Sequence, residues 1–359
     1  MIALAPCRGV ARRRPVFPRA AGVGKRRPCL RLVSLALVFT APSAAEPVVL
    51  AGRAMGTTWT VKFFQPSPPM NPATLQVRIA ARLEQLEQTF STYRPSSELS
   101  RFNAAASTGW IAVTPDLARV ALDSRRLSGR TEGAFDATVA PLVALWGFGP
   151  QRRLGPPPAP AEIAAARARV DWRRLEARLD PPALRKSSPE VAADFSSMAK
   201  GFAADAVGEL LRTLGATEHY AAVGGDIRTG GAHRWRAGLE HPADDRAAPI
   251  AVVGLAGHAV STSGDARNFF LHEGRRYGHL IDPRTGAPAD GALAAVSVVA
   301  ATCAASSSIA TALGVLGAEA GFAWAVRERI AAIFVVREGA GFALRPTPEF
   351  AQFAWPGGN

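Results

Sequence analysis

The sequence predicts a single α+β domain behind a short leader. Three observations carry that expectation. Apolar residues recur at helical spacing in some stretches and as short β-branched runs in others. The two kinds of stretch are mixed without the strict alternation of a parallel α/β sheet. Past a Pro-rich linker at 66–72, no internal repeat or change of composition divides the chain. With 359 residues, 48% of them hydrophobic, the chain can bury a sizeable core, which excludes the disordered and fibrous classes.

Each element follows in order. Residues 48–50 and 59–64 read as short strands around a glycine-bearing loop, 52–58. Leu75, Ile79, Leu83, Leu86 and Phe90 fall at steps of four and three and place one apolar stripe on a helix. Thr114, as N-cap, with Pro115 at the first helical position, starts a second. Residues 155–160 form a surface loop by composition. Residues 189–195 read as a strand running into a helix marked by Phe202, Ala206, Leu210 and Leu214 and closed by Gly215. A strand at 220–223 feeds Gly224-Gly225. Strands at 235–239, 250–255 and 294–301 follow, with turns at His241-Pro242, Ser263-Gly264 and Asp282-Pro283. A small-residue helix at 303–316 and a last strand at 333–336 complete the reading.

The formal net charge is +13, from 42 Lys+Arg and 29 Asp+Glu. Residues 1–45 hold nine of the basic residues and no acid, so the other 314 residues carry 33 basic against 29 acidic side chains, a net of +4. The basic excess belongs to the leader, and no nucleic-acid partner is expected. A basic stretch, an apolar run at 32–41 and the small residues Ser43, Ala44 and Ala45 have the layout of an export signal. The run is far shorter than the ~20 residues of a spanning helix. Residues 1–45 are therefore expected to be removed, leaving 46–359 in the periplasm with no transmembrane span. Arg26-Arg27 resembles a twin-arginine signal, with the general secretory route as the alternative. Cys7 and Cys29 fall in the leader; Cys303 alone remains, which excludes an internal disulfide and a cysteine-held metal.

Three loops place polar groups on small-residue backbone after apolar stretches: Asp194-Phe195-Ser196-Ser197, Gly224-Gly225-Asp226, and Ser261-Thr262-Ser263-Gly264-Asp265. The first opens a helix, whose free amides favour an anion such as phosphate. Singly, each is ordinary turn chemistry. His279 lies where an expected strand enters the Asp282-Pro283 turn; alone, it reads as a structural histidine. There is no Gly-x-Ser-x-Gly elbow, dinucleotide fingerprint or phosphate-loop lysine motif, so a serine hydrolase and the common nucleotide folds are excluded.

Seven motifs in order carry a resemblance: Met55-Gly56-Thr57; Ser91-Thr92-Tyr93; Thr131-Glu132-Gly133-Ala134-Phe135-Asp136 with Trp146-Gly147-Phe148-Gly149; Asp194 through Lys200 to Asp205; Gly224-Gly225-Asp226-Ile227; Ser261-Thr262-Ser263-Gly264; and His279-Leu280-Ile281-Asp282-Pro283-Arg284-Thr285-Gly286. Together, from about Gly52 to Phe334, they resemble the FAD:protein FMN transferase family, also called the ApbE family. The resemblance implies a T-fold-like flavin transferase domain that binds FAD and Mg²⁺. A Thr or Ser hydroxyl of a target electron-transfer protein, membrane-associated or periplasmic, would attack the FMN phosphorus; FMN stays esterified to that target and AMP leaves. It implies that Met55, Tyr93, Ala134, Phe135, Asp136, Asp194, Lys200 and Ile281 line the FAD site. His279 and Asp282 are the expected catalytic pair, His279 as base or phosphate contact. Ser197, Ser307 and Thr311 are the expected metal ligands. Here the chain departs from the family pattern, since Ser307 stands at the family's metal-ligand Asp and Ala310 at a second frequent Asp. Two readings follow: an exported FMN transferase, or a catalytically weakened FAD-binding accessory protein in maturation of a respiratory metalloenzyme.

Overall fold

The computed structural model describes residues 46–149, 155–243, 247–265 and 268–356; the leader lies outside them. The chain opens with a hairpin of β1 (Val48–Ala54) and β2 (Thr57–Phe63). The loop expected at 52–58 shrinks to two residues. Met55 (φ 52°) and Gly56 (φ 70°) both take positive φ, and such a turn matches the twist of the flanking strands. Gly52 lies inside β1, where an added Cβ would stand 2.7 Å from the Trp59 ring across the pair.

Next, α1 (Pro72–Phe90) buries Leu75, Ile79, Leu83, Leu86 and Phe90, the stripe the spacing predicts. Then come α2 (Glu98–Ala104), β3 (Ile111–Ala112) and α3 (Pro115–Arg130), the last capped by Thr114 as expected. The middle of the chain forms α4 (Ala140–Leu145), α5 (Pro160–Arg167), β4 (Leu175–Leu179), β5 (Pro182–Lys186) and α6 (Ser196–Thr213). Strands dominate thereafter: β6 (His219–Val223), β7 (Asp226–Gly230), β8 (Trp235–Leu239), β9 (Ala251–Leu255), β10 (Ala259–Gly264), β11 (Phe269–His272), β12 (Arg275–Gly278) and β13 (Leu293–Ala300). The chain closes through α7 (Cys303–Leu316), α8 (Ala318–Arg327), β14 (Ala331–Glu338) and β15 (Gly341–Pro346).

One antiparallel sheet organises these elements, in the order β1-β2-β6-β7-β10-β13-β14-β15. The α+β expectation holds. One face of the sheet packs on helices through a large core that includes Val61, Phe63, Ala221, Val298 and Phe334 with Leu83, Leu211 and Leu313. The other face carries a smaller core in which Val260, Val299 and Ile333 meet Val253, Leu255 and Phe350. A satellite cluster joins Leu142 and Trp146 to Ile281, Phe270 and Tyr277, and so seats the β11–β12 hairpin beside α4.

Four further expectations change. Residues 189–195 are not a strand: 189–190 form a turn, and 191–195 follow as irregular chain that pairs with no strand of the described residues. Ser263-Gly264 is not a turn: both lie in β10 and pair with β13, where Gly264 is needed because a Cβ would come 2.7 Å from the Ala294 oxygen. Strand 333–336 is not the last, since a turn at Gly339 (φ 55°) returns the chain as β15. The stripe Phe202, Ala206, Leu210, Leu214 is only half-buried, because α6 is covered on two sides and its deepest face is Ala203, Ala204, Val207 and Leu211.

The closest helix approach is that of α6 to the start of α7. A Cβ on Gly201 would lie 2.7 Å from the Cys303 carbonyl carbon and overlap its oxygen. Gly201→Ala is therefore expected to destabilise the protein by about 1–3 kcal/mol, read as a lowered urea midpoint. An unchanged midpoint would show that the helices can part at no cost.

Candidate active site

The functional residues gather where α6 and α7 begin beneath the tips of β2, β6 and β7. At the β6–β7 turn Gly224 (φ 58°) and Gly225 (φ 94°) both take positive φ, so the turn needs little room. An added Cβ on Gly224 would stand 2.9 Å from Lys200 Cδ and 3.0 Å from Thr57 Cγ2. The bare glycine thus lets the Lys200 stem pass between the turn and the β1–β2 hairpin.

Asp226 follows the turn and is 5% exposed. Its carboxylate accepts from Ser307 Oγ at 3.3 Å on α7 and also bonds Ser261. Burial pushes this carboxyl above its ordinary range, and the Lys200 ammonium pulls it back. One turn along α7, Thr311 Oγ1 donates to the Ser307 carbonyl at 3.1 Å and lies 3.3 Å from Ser263 Oγ. Ser307 and Thr311 thus share one helix face, as their spacing predicts, and the structure sets the Asp226 carboxylate against it. Ser197 is half-buried in the first turn of α6, one turn before Lys200. Among the described residues no group of three or more His, Cys, Asp or Glu could hold a metal. The donor set around Ser307 is instead one carboxylate with hydroxyls, which suits Mg²⁺ when substrate phosphates fill its remaining positions.

His279 leaves β12 with its amide donating to the Asn268 carbonyl at 3.0 Å. Its Nδ1 is buried with no hydrogen-bond partner. Burial pushes the imidazole below its ordinary range, against the opposing effect of the Asn268 carbonyl on the ring; Lys200 lowers it further and Asp265 raises it. A neutral ring with an unpartnered nitrogen can accept or donate a proton at that atom.

Other expected residues land differently. Asp282 builds the turn: Oδ1 accepts from Arg284 N and Nε at 2.9 Å each, and Oδ2 from Nη2 at 2.8 Å, so the carboxylate is held by Arg284 and is not placed to move a proton. Asp136 also turns inward, accepting from Thr138 N and Oγ1 at 2.7 Å each and from Trp172 N at 2.9 Å. Asp194 Oδ1 accepts from Ser196 N at 2.8 Å and starts α6. Ala134, Phe135 and Ile281 are buried, whereas Tyr93 is 69% exposed. Met55 is at the hairpin tip, its amide donating to Glu87 Oε2 at 3.0 Å. Arg94 pairs with the other Glu87 oxygen at 2.9 Å. Glu87 thereby ties the Met55 turn to the Tyr93 loop, a role that no spacing signal in α1 marks. A cleft of about 550 Å³ lies alongside, lined by Glu132, Asp136, Trp172, Arg173 and Arg284.

A polar end of a sheet, with a buried carboxylate, an ammonium and a neutral imidazole beside helix N-termini, defines a site for phosphate-bearing substrates. Comparison with known proteins makes this specific. The profile of the ApbE family matches residues 55–334. FAD:protein FMN transferase of Vibrio cholerae is 37% identical over 326 residues, covering 90% of this chain and 97% of that protein. Its counterpart in Salmonella typhimurium is 35% identical, covering 88% and 91%. Among solved structures, the flavin transferase ApbE from Vibrio cholerae superposes with a TM-score of 0.79 at 37% identity, over 86% of this chain and 99% of that one. The apo flavinyl transferase ApbE of Pseudomonas stutzeri gives the same score and identity over 86% and 97%. The chain belongs to the ApbE family.

Burial raises the Asp136 carboxyl to about 6 from an ordinary 3.8, despite the opposing bonds from Thr138 and Trp172. The native state therefore holds this proton more tightly than the unfolded chain does, and the stability the group contributes falls as pH rises from about 4 to about 6, by up to roughly 3 kcal/mol. Urea midpoints at the two ends of that window should show the natural chain losing stability relative to Asp136→Asn. A difference independent of pH would show that the carboxylate is solvated.

Proposed function

We propose that this protein transfers FMN from FAD to a Thr or Ser hydroxyl of a target protein, releasing AMP. The observation that carries the reading is the cluster at the β6–β7 turn, where the Lys200 stem passes against Gly224 and the buried Asp226 accepts from Ser307 Oγ at 3.3 Å, with the Lys200 charge lowering the pKa of both Asp226 and His279. The acceptor oxygen forms a bond to the FMN phosphorus as the bond to the AMP oxygen breaks; the hydroxyl proton passes to the His279 imidazole. Lys200 and the amides opening α6 neutralise pyrophosphate charge, which is most of what phosphoryl transfer asks of a protein. Met55 and the walls around Phe135 and Ile281 offer apolar surface to the flavin. Mg²⁺ would be held by Asp226, Ser307, Thr311 and Ser197 and would supply further charge neutralisation at the phosphates.

The setting is inferred from the leader, whose basic, apolar and small-residue order marks removal of 1–45 on export to the periplasm, where the acceptor would be an electron-transfer protein. None of the described helices is long and apolar enough to cross a membrane. The second reading, a flavin-binding accessory protein, is favoured by one observation: Ser307 places a neutral hydroxyl on α7 where the family resemblance implies an acid.

The two are separated by incubating residues 46–359 with FAD, Mg²⁺ and candidate acceptors. The transferase reading expects an intact-mass gain of one FMN on the acceptor; FAD retention with no gain for any acceptor supports the accessory reading. His279→Ala is expected to slow transfer by about 10²–10⁴ while FAD is still retained. Full activity of that variant removes His279 from the chemistry. Ser307→Asp would set a second carboxylate beside Asp226, and two like charges there need a cation. The variant should melt lower without divalent ion and gain more from Mg²⁺ than the natural chain; equal gains would mean that α7 does not face the cation.

A further inference from the structure

Segment 187–195 delivers Asp194 to the start of α6, yet no strand of the described residues pairs with it. Val191, Ala193 and Phe195 are fully buried, so its backbone polar groups must find partners inside the protein. The Asn103 side chain supplies two. Its Oδ1 accepts from Ala193 N and its Nδ2 donates to Ala193 O, both at 2.8 Å, which is the pairing a neighbouring strand would offer. Lys186 supplies more: its Nζ donates to the carbonyls of Asn103, Pro189 and Val191 at 2.7, 3.0 and 3.3 Å. Lys186 is completely buried and makes no ion pair among the described residues. Three carbonyls satisfy its three donors, but an ammonium without a counter-charge remains costly, and an apolar side chain of similar length would fill the space at less expense. The three carbonyls come from the end of α2 and from both halves of the segment. Holding them together leaves 189–193 one path, which continues to Asp194, whose amide donates to Ala137 O at 2.7 Å, and on to Ser196, Ser197 and Lys200.

We propose that Lys186 and Asn103 are positioning residues for flavin transfer: they touch no substrate, but their clamp fixes the edge of the FAD site formed by Asp194 and the first turn of α6. The proposal rests on the reading of that edge as part of the FAD site. The test measures FAD affinity by flavin fluorescence quenching, together with melting temperature and amide hydrogen exchange, in residues 46–359. Lys186→Met keeps the volume and removes the donors. It should melt within a few degrees of the natural chain, yet bind FAD about tenfold or more weakly and exchange faster at 189–195. Val253→Ala, on the far side of the sheet, serves as a control that lowers melting temperature without changing FAD affinity. If Lys186→Met does not fold, Asn103→Ser decides by the same readouts. Natural affinity in the folded variant overturns the clamp. Loss of affinity that merely tracks melting temperature, as strongly in Val253→Ala, reduces Lys186 to a stability residue and overturns it too. Failure of the natural chain itself to bind FAD removes the flavin reading and the clamp with it.

Discussion

The site depends on one helix crossing. Asp205 on α6 accepts from the amides of Cys303 at 2.8 Å and Ala304 at 2.9 Å, occupying the positive end of α7. Gly201, one turn earlier, has no side chain to hold the helices apart. These two contacts fix the rotation and height of α7 against α6, which sets Ser307 against Asp226 and Thr311 against Ser263. The charge of Asp205 is answered locally by helix amides and by Arg228, 3.7 Å away.

The carboxylates of the recognisable motifs mostly build this arrangement. Asp136 holds Thr138 and Trp172, Asp194 starts α6, Asp205 caps α7, Asp282 grips Arg284, and Asp265 takes Arg276 and Arg337 at 3.2 and 2.5 Å. What remains is Asp226, whose partners are the hydroxyls of Ser261 and Ser307 and a single ammonium. A carboxylate in that state is available to a cation, while one clasped by arginine is not.

Much of this was legible before the structure. The α1 stripe, the Thr114 cap, the α7 limits and the shared face of Ser307 and Thr311 follow from periodicity, which is local. The misplaced elements failed where a distant partner decides the backbone. Segment 189–195 has a strand's composition but pairs with the Asn103 amide and Lys186, contacts separated by up to 90 residues. Ser263-Gly264 carries turn residues but is held straight by β13. In the site, residue type pointed to the acids but not to their orientation; the inward turn of Asp136 and the Arg284 grip on Asp282 depend on neighbours that no spacing rule identifies.

Ser307 looks like a loss only when α7 is considered by itself. Beside it are Asp226, one negative charge, and Lys200, one positive, so the interior at this point is close to neutral with a serine there. An acid at 307 would bury a second negative charge 3 to 4 Å from the first, by the 3.3 Å separation of Ser307 Oγ from Asp226, and only a bound cation could answer it. Lys200 cannot do so alone, because the same ammonium also lies near the His279 imidazole and is one of the groups holding it neutral. With serine the carboxylate of Asp226 faces a neutral hydroxyl, and any cation held here would draw the rest of its negative ligands from substrate phosphates. A serine at this position would thus shift the condition for holding a cation from the protein towards the substrate.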